Sequence, residues 1–411
     1  MTRRAGAGWA AVAVCAALLG GLTGCTGDGR SPVEVQLPGK PRSPDEAIRI
    51  TPDDNAKGVP ADGPLRVTVP EGRLERVTVT KVEDAQQEQV PGSIADDGLS
   101  WSPDPEAGRL ALAAKYTVDA VALDGHNRRQ ARHTTFTTYV PEERFIGYFK
   151  PENRSTVGTG MIVSFNFSRA VKNRADVQKA ITVTADPAVP VVGHWFGSER
   201  LDFRPREYWK PGTQVTVRMK LRDVEGAPGA YGIQDKTIRF TVGRSQVSTV
   251  DAAAHTMEVR RGGELLSTLP VSAGAPKNTT YNGKMVVMEM FDVTRMNGAT
   301  VGFTSEDGKG EYDIPDVPHA IRLTASGTFL HGNYWAPPET FGTTNTSHGC
   351  VGLRDDKGGG SDTPAGWFFD RTLIGDVVEV VNSQDKTVAP NNGLGGWNMS
   401  WADWVAGSAV G

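Results

Sequence analysis

From residue 48 onward, apolar and polar positions alternate in short runs separated by turn residues. Leu65–Val69 and Leu74–Val82 alternate, Leu99–Pro103 follows an Asp-Asp-Gly turn, Tyr116–Leu123 precedes Asp124-Gly125, and Thr134–Tyr139 closes the group. Short period-two runs at close spacing predict a β-sandwich, with Trp101 as its core aromatic. A second group follows the same grammar in Met161–Phe167, Ile181–Thr184, His194–Phe196, Leu201–Pro205, Val215–Leu221 and Thr237–Val242, with one helical turn expected at Ala175–Ala180. Leu99–Pro103 and Leu201–Pro205 occupy matching places, so the two groups read as a repeat of fold rather than of residues.

A third group starts near Arg244. Val247–Asp251 and Thr256–Ser272 give three strands, the last two joined as a hairpin by Arg261-Gly262-Gly263. Lys284–Phe291, Ala320–Thr324, Gly327–His331 and Asp376–Val381 predict further strands, and Pro364–Ile374 is the one helix expected there. The polar stretch after Asn382 ends in Trp397, Trp401 and Trp404, which water would not tolerate on a free terminus. Two readings follow: a clasp packed on a neighbouring domain, or a carbohydrate-stacking patch. The fold class is mainly β.

Length agrees with this division, because 411 residues exceed one ordinary core and imply two to four domains. A net charge of −4 gives no footprint for nucleic acid. The N-terminus changes the picture more. Arg3 and Arg4 precede the apolar run Ala5–Leu22, which ends in Leu22-Thr23-Gly24-Cys25. This is an export signal, and residues 26–45, rich in Pro, Gly and Ser, read as a tether. The ending resembles a bacterial lipoprotein cleavage site. That resemblance implies lipid on Cys25 and a membrane anchor on the outer face; an ordinary secretory signal and an uncleaved anchor helix are the other readings.

Of three cysteines, Cys15 leaves with the signal and Cys25 carries lipid, so Cys350 remains as a lone thiol outside the reducing cytosol. His348 lies two residues before it and His331 nineteen before it. A thiol attacks a carbonyl as thiolate, and a histidine within reach takes its proton and later returns it to the leaving group. On an extended strand His348 would share the face of Cys350. His331 ends its strand and would come alongside by sheet pairing. The N–H groups of Gly349 and Cys350 are candidate oxyanion donors. A zinc site of His331, His348 and Cys350, and a structural cluster without chemistry, stand as alternatives. His126, His133 and His194 are isolated and read as surface or core residues.

Thr343–Val351, with its Ser-His-Gly-Cys core, and Gly327–His331 resemble the signature of the L,D-transpeptidases with a YkuD-type catalytic domain. The order of export signal, two sandwiches, catalytic domain and Trp-rich tail resembles the actinobacterial, mycobacterial-type enzymes over nearly the whole mature chain. The resemblance implies a lipoprotein signal over 1–25, a tether over 26–45, immunoglobulin-like domains over 46–141 and 142–243, a catalytic domain over 244–383 and a tail over 384–411. It implies Cys350 as nucleophile and His331 as general base, oriented by the Gly332 carbonyl. His348, Gly349, Ser347 and Asn345 would shape the pocket and oxyanion hole. Tyr312 would be a lid tyrosine, with Met290, Phe291 and Met296 in the lid segment.

The implied reaction is acyl transfer between peptidoglycan stem peptides, with no cofactor and with carbapenem β-lactams as covalent inhibitors. Hydrolysis of the same acyl-enzyme and a non-catalytic wall-binding role are the rival functions. Two positions depart from the family pattern. Gly332 stands where serine is common, and Gly352 where Asn or Arg is usual, with Arg354 as a possible substitute for that side chain.

Overall fold

The computed structural model describes residues 44–411 apart from 83–86, 106–108, 305 and 307. The export signal with Cys15 and Cys25, and the tether as far as residue 43, lie outside the described residues. The first described segment is a one-turn helix, Pro44–Ala47. Among the described residues no helix is long and apolar enough to cross a membrane.

The alternation of the first group becomes two packed sheets. One holds Arg49–Thr51, Arg66–Thr68, Ser100–Pro103 and Gly92–Ile94; the other holds Ala56–Val59, Arg129–Thr138, Lys115–Leu123, Arg73–Val82 and Gln87–Gln89. Lys115–Leu123 alternates between covered and open positions, as period-two packing against one core requires. Trp101 is 2% exposed in that core. Its ring lies over Gly92, where a Cβ would fall 2.2 Å from it, so no side chain fits there.

The second group repeats the plan with Gly147–Lys150, Val163–Phe167, Arg200–Pro205 and Val191–Phe196 in one sheet, and Thr156–Val157, Asp235–Val242, Gln214–Lys220 and Ile181–Asp186 in the other. The expected helical turn is Arg174–Lys179.

The third group forms one sheet of nine strands: β1 (Gln246–Asp251), β2 (Thr256–Arg261), β3 (Glu264–Ser272), β4 (Gly283–Val286), β5 (Glu289–Asn297), β6 (Asp313–Arg322), β7 (Phe329–Asn333), β8 (Val351–Arg354) and β9 (Val377–Val381). Their spatial order is β4-β9-β1-β2-β3-β8-β7-β6-β5. β3 pairs over most of its length with β2, while Val271 and Ser272 at its end pair with β8. The run Lys284–Phe291, expected as one strand, is divided between β4 and β5 at opposite edges. Val287 and Met288 bridge those edges, donating to the carbonyls of Asp376 and Arg322, both at 2.9 Å. The continuous apolar stretch Met285–Met288 straddles the break, and without alternation it does not mark where one strand ends. The expected helix is the single turn-and-a-half Pro364–Phe369, with the Thr363 hydroxyl accepting from the Gly366 N–H.

The tail is a clasp. Trp404 is fully buried, and its indole N–H donates to the Val192 carbonyl at 3.0 Å. His194, isolated in sequence, lies 2.8 Å through Nδ1 from the Trp404 carbonyl. Arg204 is 2% exposed, and its guanidinium sits 4.6, 5.3 and 4.4 Å from the rings of Trp397, Trp401 and Trp404. It donates to the carbonyls of Pro205, Arg206 and Met399. Burial pushes its pKa down to about 10, which still leaves it charged at neutral pH. A desolvated guanidinium is held here by ring faces and carbonyl dipoles.

Val286 of β4, together with Leu394 and Trp404 of the tail, belongs to the same core as the second sandwich, so the C-terminal sheet is anchored rather than hinged on it. Replacing Trp404 with alanine removes the largest of these buried side chains. We expect a loss of about 3–5 kcal/mol in urea unfolding of the second sandwich and C-terminal sheet. The first sandwich, whose core is separate, should retain its own transition.

Candidate active site

The site is assembled by one parallel pairing. β7 lies beside β8 with Leu330 opposite Val351 and His331 opposite Gly352. His331 is therefore inside its strand rather than at its end. Partners in register point to the same face, so the register directs His331 toward the side on which Cys350 enters β8. The two residues line one cavity of about 180 Å³ with Met296, Tyr312, Ser347 and His348.

Cys350 is not on an extended strand. Residues 348–350 form a bend, with Gly349 at φ +110°, a conformation that favours glycine. The Ser347 hydroxyl staples this bend: it donates to the Cys350 carbonyl at 2.6 Å and accepts from the Gly349 N–H at 3.1 Å. That bond occupies the Gly349 N–H, which was expected as an oxyanion donor. The Cys350 N–H has no hydrogen-bond partner among the described residues and remains available for that role.

His331 is buried, and its Nδ1 lies 2.9 Å from the Gly332 carbonyl. A carbonyl can only accept, so Nδ1 carries the proton and Nε2 is left as a bare acceptor. The ring is stacked on Trp335 at 5.6 Å with an interplanar angle of 11°. Burial holds the His331 pKa below the ordinary imidazole value, opposed by the hydrogen bond to Gly332 and the charge of Asp355. Burial pushes the Cys350 thiol up to about 11, although the Phe329 N–H works the other way. The thiol contacts the Gly327 carbonyl at 3.7 Å. The resting pair is thus a neutral thiol beside a neutral imidazole.

The remaining expected residues divide. Tyr312 faces the cavity, and burial and the neighbouring Cys350 push its hydroxyl up to about 12, so it stays a donor. His348 does not share a strand face with Cys350. Its Nε2 lies 3.2 Å from Glu311, and its ring sits 5.0 Å from Tyr312 and 5.5 Å from Phe303. It ties the cysteine bend to Phe303, Glu311 and Tyr312.

Asn345 is not brought to the cavity. Its Oδ1 accepts from the Ala273 N–H at 2.8 Å and its Nδ2 donates to the Ala252 carbonyl at 2.8 Å, which positions the approach to the bend. Met290 and Phe291 are also elsewhere. They lie near the start of β5, six and five residues before Met296, or ~17–20 Å along an extended strand. Met290 instead borders a groove against Phe149 and Met161 of the second sandwich. Among the described residues no group of three or more His, Cys, Asp or Glu side chains is placed to hold a metal ion.

Sequence reasoning missed Asn333, Trp335 and Glu311. Trp335 was detectable: an indole four residues after a candidate base is a signal in itself, and it is 41% exposed. Asn333 also resolves the departure at Gly352. Its Nδ2 lies 3.4 Å from where a Cβ at 352 would be, whereas Arg354 is exposed outside the cavity. An amide from the adjacent strand reaches the place of the missing side chain.

Residues 56–225 match a bacterial Ig domain model, spanning both sandwiches, and residues 245–380 match an L,D-transpeptidase catalytic domain. The chain is 32% identical over 406 residues to L,D-transpeptidase 2 of Mycobacterium tuberculosis (strain CDC 1551 / Oshkosh), covering 98% of this chain and 95% of that protein. It is 27% identical over 397 residues to L,D-transpeptidase 5 of M. tuberculosis (strain ATCC 25618 / H37Rv), covering 95% and 82%. A solved L,D-transpeptidase structure in complex with imipenem is 30% identical, covers 59% of this chain and all of that one, and superposes with a TM-score of 0.48.

The two pKa shifts predict a distinctive alkylation profile for Cys350. With His331 present, the iodoacetamide rate should rise with pH through the depressed imidazole pKa, below 6.5, and then hold level until the thiol itself ionises near 11. In His331→Gln the plateau should vanish, and the rate should climb roughly tenfold per pH unit toward the thiol pKa. On its catalytic domain and its near full-length relatives, the chain belongs to the L,D-transpeptidase family.

Proposed function

We propose that the protein is a peptidoglycan L,D-transpeptidase that forms 3→3 cross-links through a thioester on Cys350. The observation that carries this reading is the His331 Nδ1 bond to the Gly332 carbonyl, which leaves Nε2 bare in the cavity it shares with Cys350. The donor is a tetrapeptide stem. Cys350 attacks the carbonyl of its third residue, meso-diaminopimelate, while its proton passes to His331 Nε2. Charge growing on the carbonyl oxygen is met by the Cys350 N–H and the Tyr312 hydroxyl. Collapse of the tetrahedral intermediate expels D-alanine, whose amine takes the proton back from His331. The side-chain amine of a second stem then attacks the thioester, and His331 accepts and returns a proton again.

A neutral pair suits this cycle. A thiol near 11 is a poor resting nucleophile, and a weakly basic imidazole is a poor resting acceptor, so the proton moves when a carbonyl is present to be attacked. The same chemistry makes β-lactams, carbapenems among them, covalent inhibitors: their strained carbonyl takes the place of the stem carbonyl. The two sandwiches raise the site toward the wall, with lipid on Cys25 holding the protein to the outer face of the membrane. The family's reaction lies outside the cytoplasm, in agreement with the apolar leader before Cys25.

The test uses residues 26–411, which lack Cys25, incubated with a disaccharide-tetrapeptide beside Cys350→Ala. The expected products are a cross-linked dimer and D-alanine, both absent from the variant. Tripeptide without dimer would make the protein an L,D-carboxypeptidase. No turnover in either protein would leave a wall-binding module.

A further inference from the structure

Behind the base histidine lies a carboxylate that the reaction as described does not use. Asp355 follows β8, and its side chain is fully enclosed. Its Oδ1 accepts from the Asp356 N–H at 2.8 Å, the Gly360 N–H at 3.0 Å and the Thr363 hydroxyl at 2.9 Å. Its Oδ2 lies 2.7 Å from His319 Nδ1. Each of these neighbours donates, with the His319 tautomer assigned from its partner.

Oδ2 also presses on the strand that carries the base. A Cβ at Gly332 would lie 2.0 Å from it. This gives the departure at position 332 a physical reason: serine or alanine there would displace the carboxylate. The glycine and the aspartate form a matched pair, and the glycine is the residue whose carbonyl holds His331.

We propose that Asp355, fixed by His319 and Thr363 beneath Gly332, is a positioning residue whose buried charge stabilises the imidazolium formed when His331 takes the Cys350 proton. The proposal rests on the reading of His331 as general base. No bond is made or broken at Asp355; the proton moves from Cys350 Sγ to His331 Nε2, and Asp355 supplies fixed opposite charge from behind Gly332, the residue whose carbonyl holds the ring, in a poorly solvated place. Cys350, Tyr312 and His348, the last paired with Glu311, face His331 around the cavity, and Asp355 with His319 lies behind it. Asp355 is the charged group that favours protonated His331, and burial is the force it opposes.

The rival is a purely architectural Asp355 that only fastens the 355–363 loop. Asp355→Asn separates the two, because the amide oxygen can keep the Oδ1 contacts while the charge is lost. The experiment is a carbon-13 titration of His331 in residues 26–411, with the Cys350 alkylation rate measured in parallel. Neither readout needs peptidoglycan, so both stand even if transpeptidation fails. A wild-type alkylation rate that does not follow the His331 titration would remove the base reading itself. With that established, Asp355→Asn should lower the His331 midpoint by about half a unit and slow alkylation by up to about threefold, whereas His319→Gln, which keeps both charge and donor, should change each much less. An unmoved midpoint in folded Asp355→Asn overturns the proposal. If that variant does not fold, Asp355→Ser is read by the same criteria, and failure of both to fold assigns Asp355 to architecture alone.

Discussion

The parallel pairing of β7 with β8 is the constraint on which the site depends. It converts a separation of nineteen residues in sequence into one shared cavity face. A slip of one residue would send His331 through the sheet, because side chains alternate with period two. The register is secured from both sides. Leu330 and Val351 are fully buried opposite each other, and the Asp355 N–H reaches the Asn333 carbonyl just past the paired stretch. The bend stapled by Ser347 then sets Cys350 at the strand entrance, so the thiol is placed by backbone geometry rather than by a bond to the histidine.

The electrostatics follow from that enclosure. Desolvation acts on both partners in the direction that keeps them neutral: it raises the thiol and lowers the imidazole. A preformed thiolate–imidazolium pair would demand two buried charges in the resting site. The arrangement instead keeps thiol and imidazole neutral at rest and holds the imidazole with a fixed carbonyl and a stacked indole when the proton arrives. The clasp solves the opposite problem. Arg204 stays charged in a buried place because three indoles and three carbonyls surround it, and this joins the second sandwich to the C-terminal sheet through the tail.

Much of this was legible in the sequence where local physics decides. Period-two alternation located both sandwiches and Trp101, and the Gly262-Gly263 turn located the β2–β3 hairpin. Three tryptophans after residue 396 announced a buried tail. The Ser-His-Gly-Cys run and the upstream histidine marked the residues that line the cavity. What escaped was long-range. The run Lys284–Phe291 gives no local sign that it spans two edges of one curled sheet, so Met290 and Phe291 were assigned to a lid they do not approach. Asn345 and the Gly349 N–H are polar groups beside the motif, yet backbone carbonyls and hydroxyls claim them first. Asp355 was invisible because its relation to Gly332 exists only across the packed sheet.

The proposed reaction turns on Cys350 carrying the donor stem as a thioester. Intact-protein mass spectrometry after mixing residues 26–411 with disaccharide-tetrapeptide, without acceptor, tests it most directly. The expected result is a mass increase equal to the donor less D-alanine, mapped to Cys350 and lost on treatment with hydroxylamine. An unmodified Cys350 in protein that nevertheless releases D-alanine, or an adduct mapped to another residue, would contradict it.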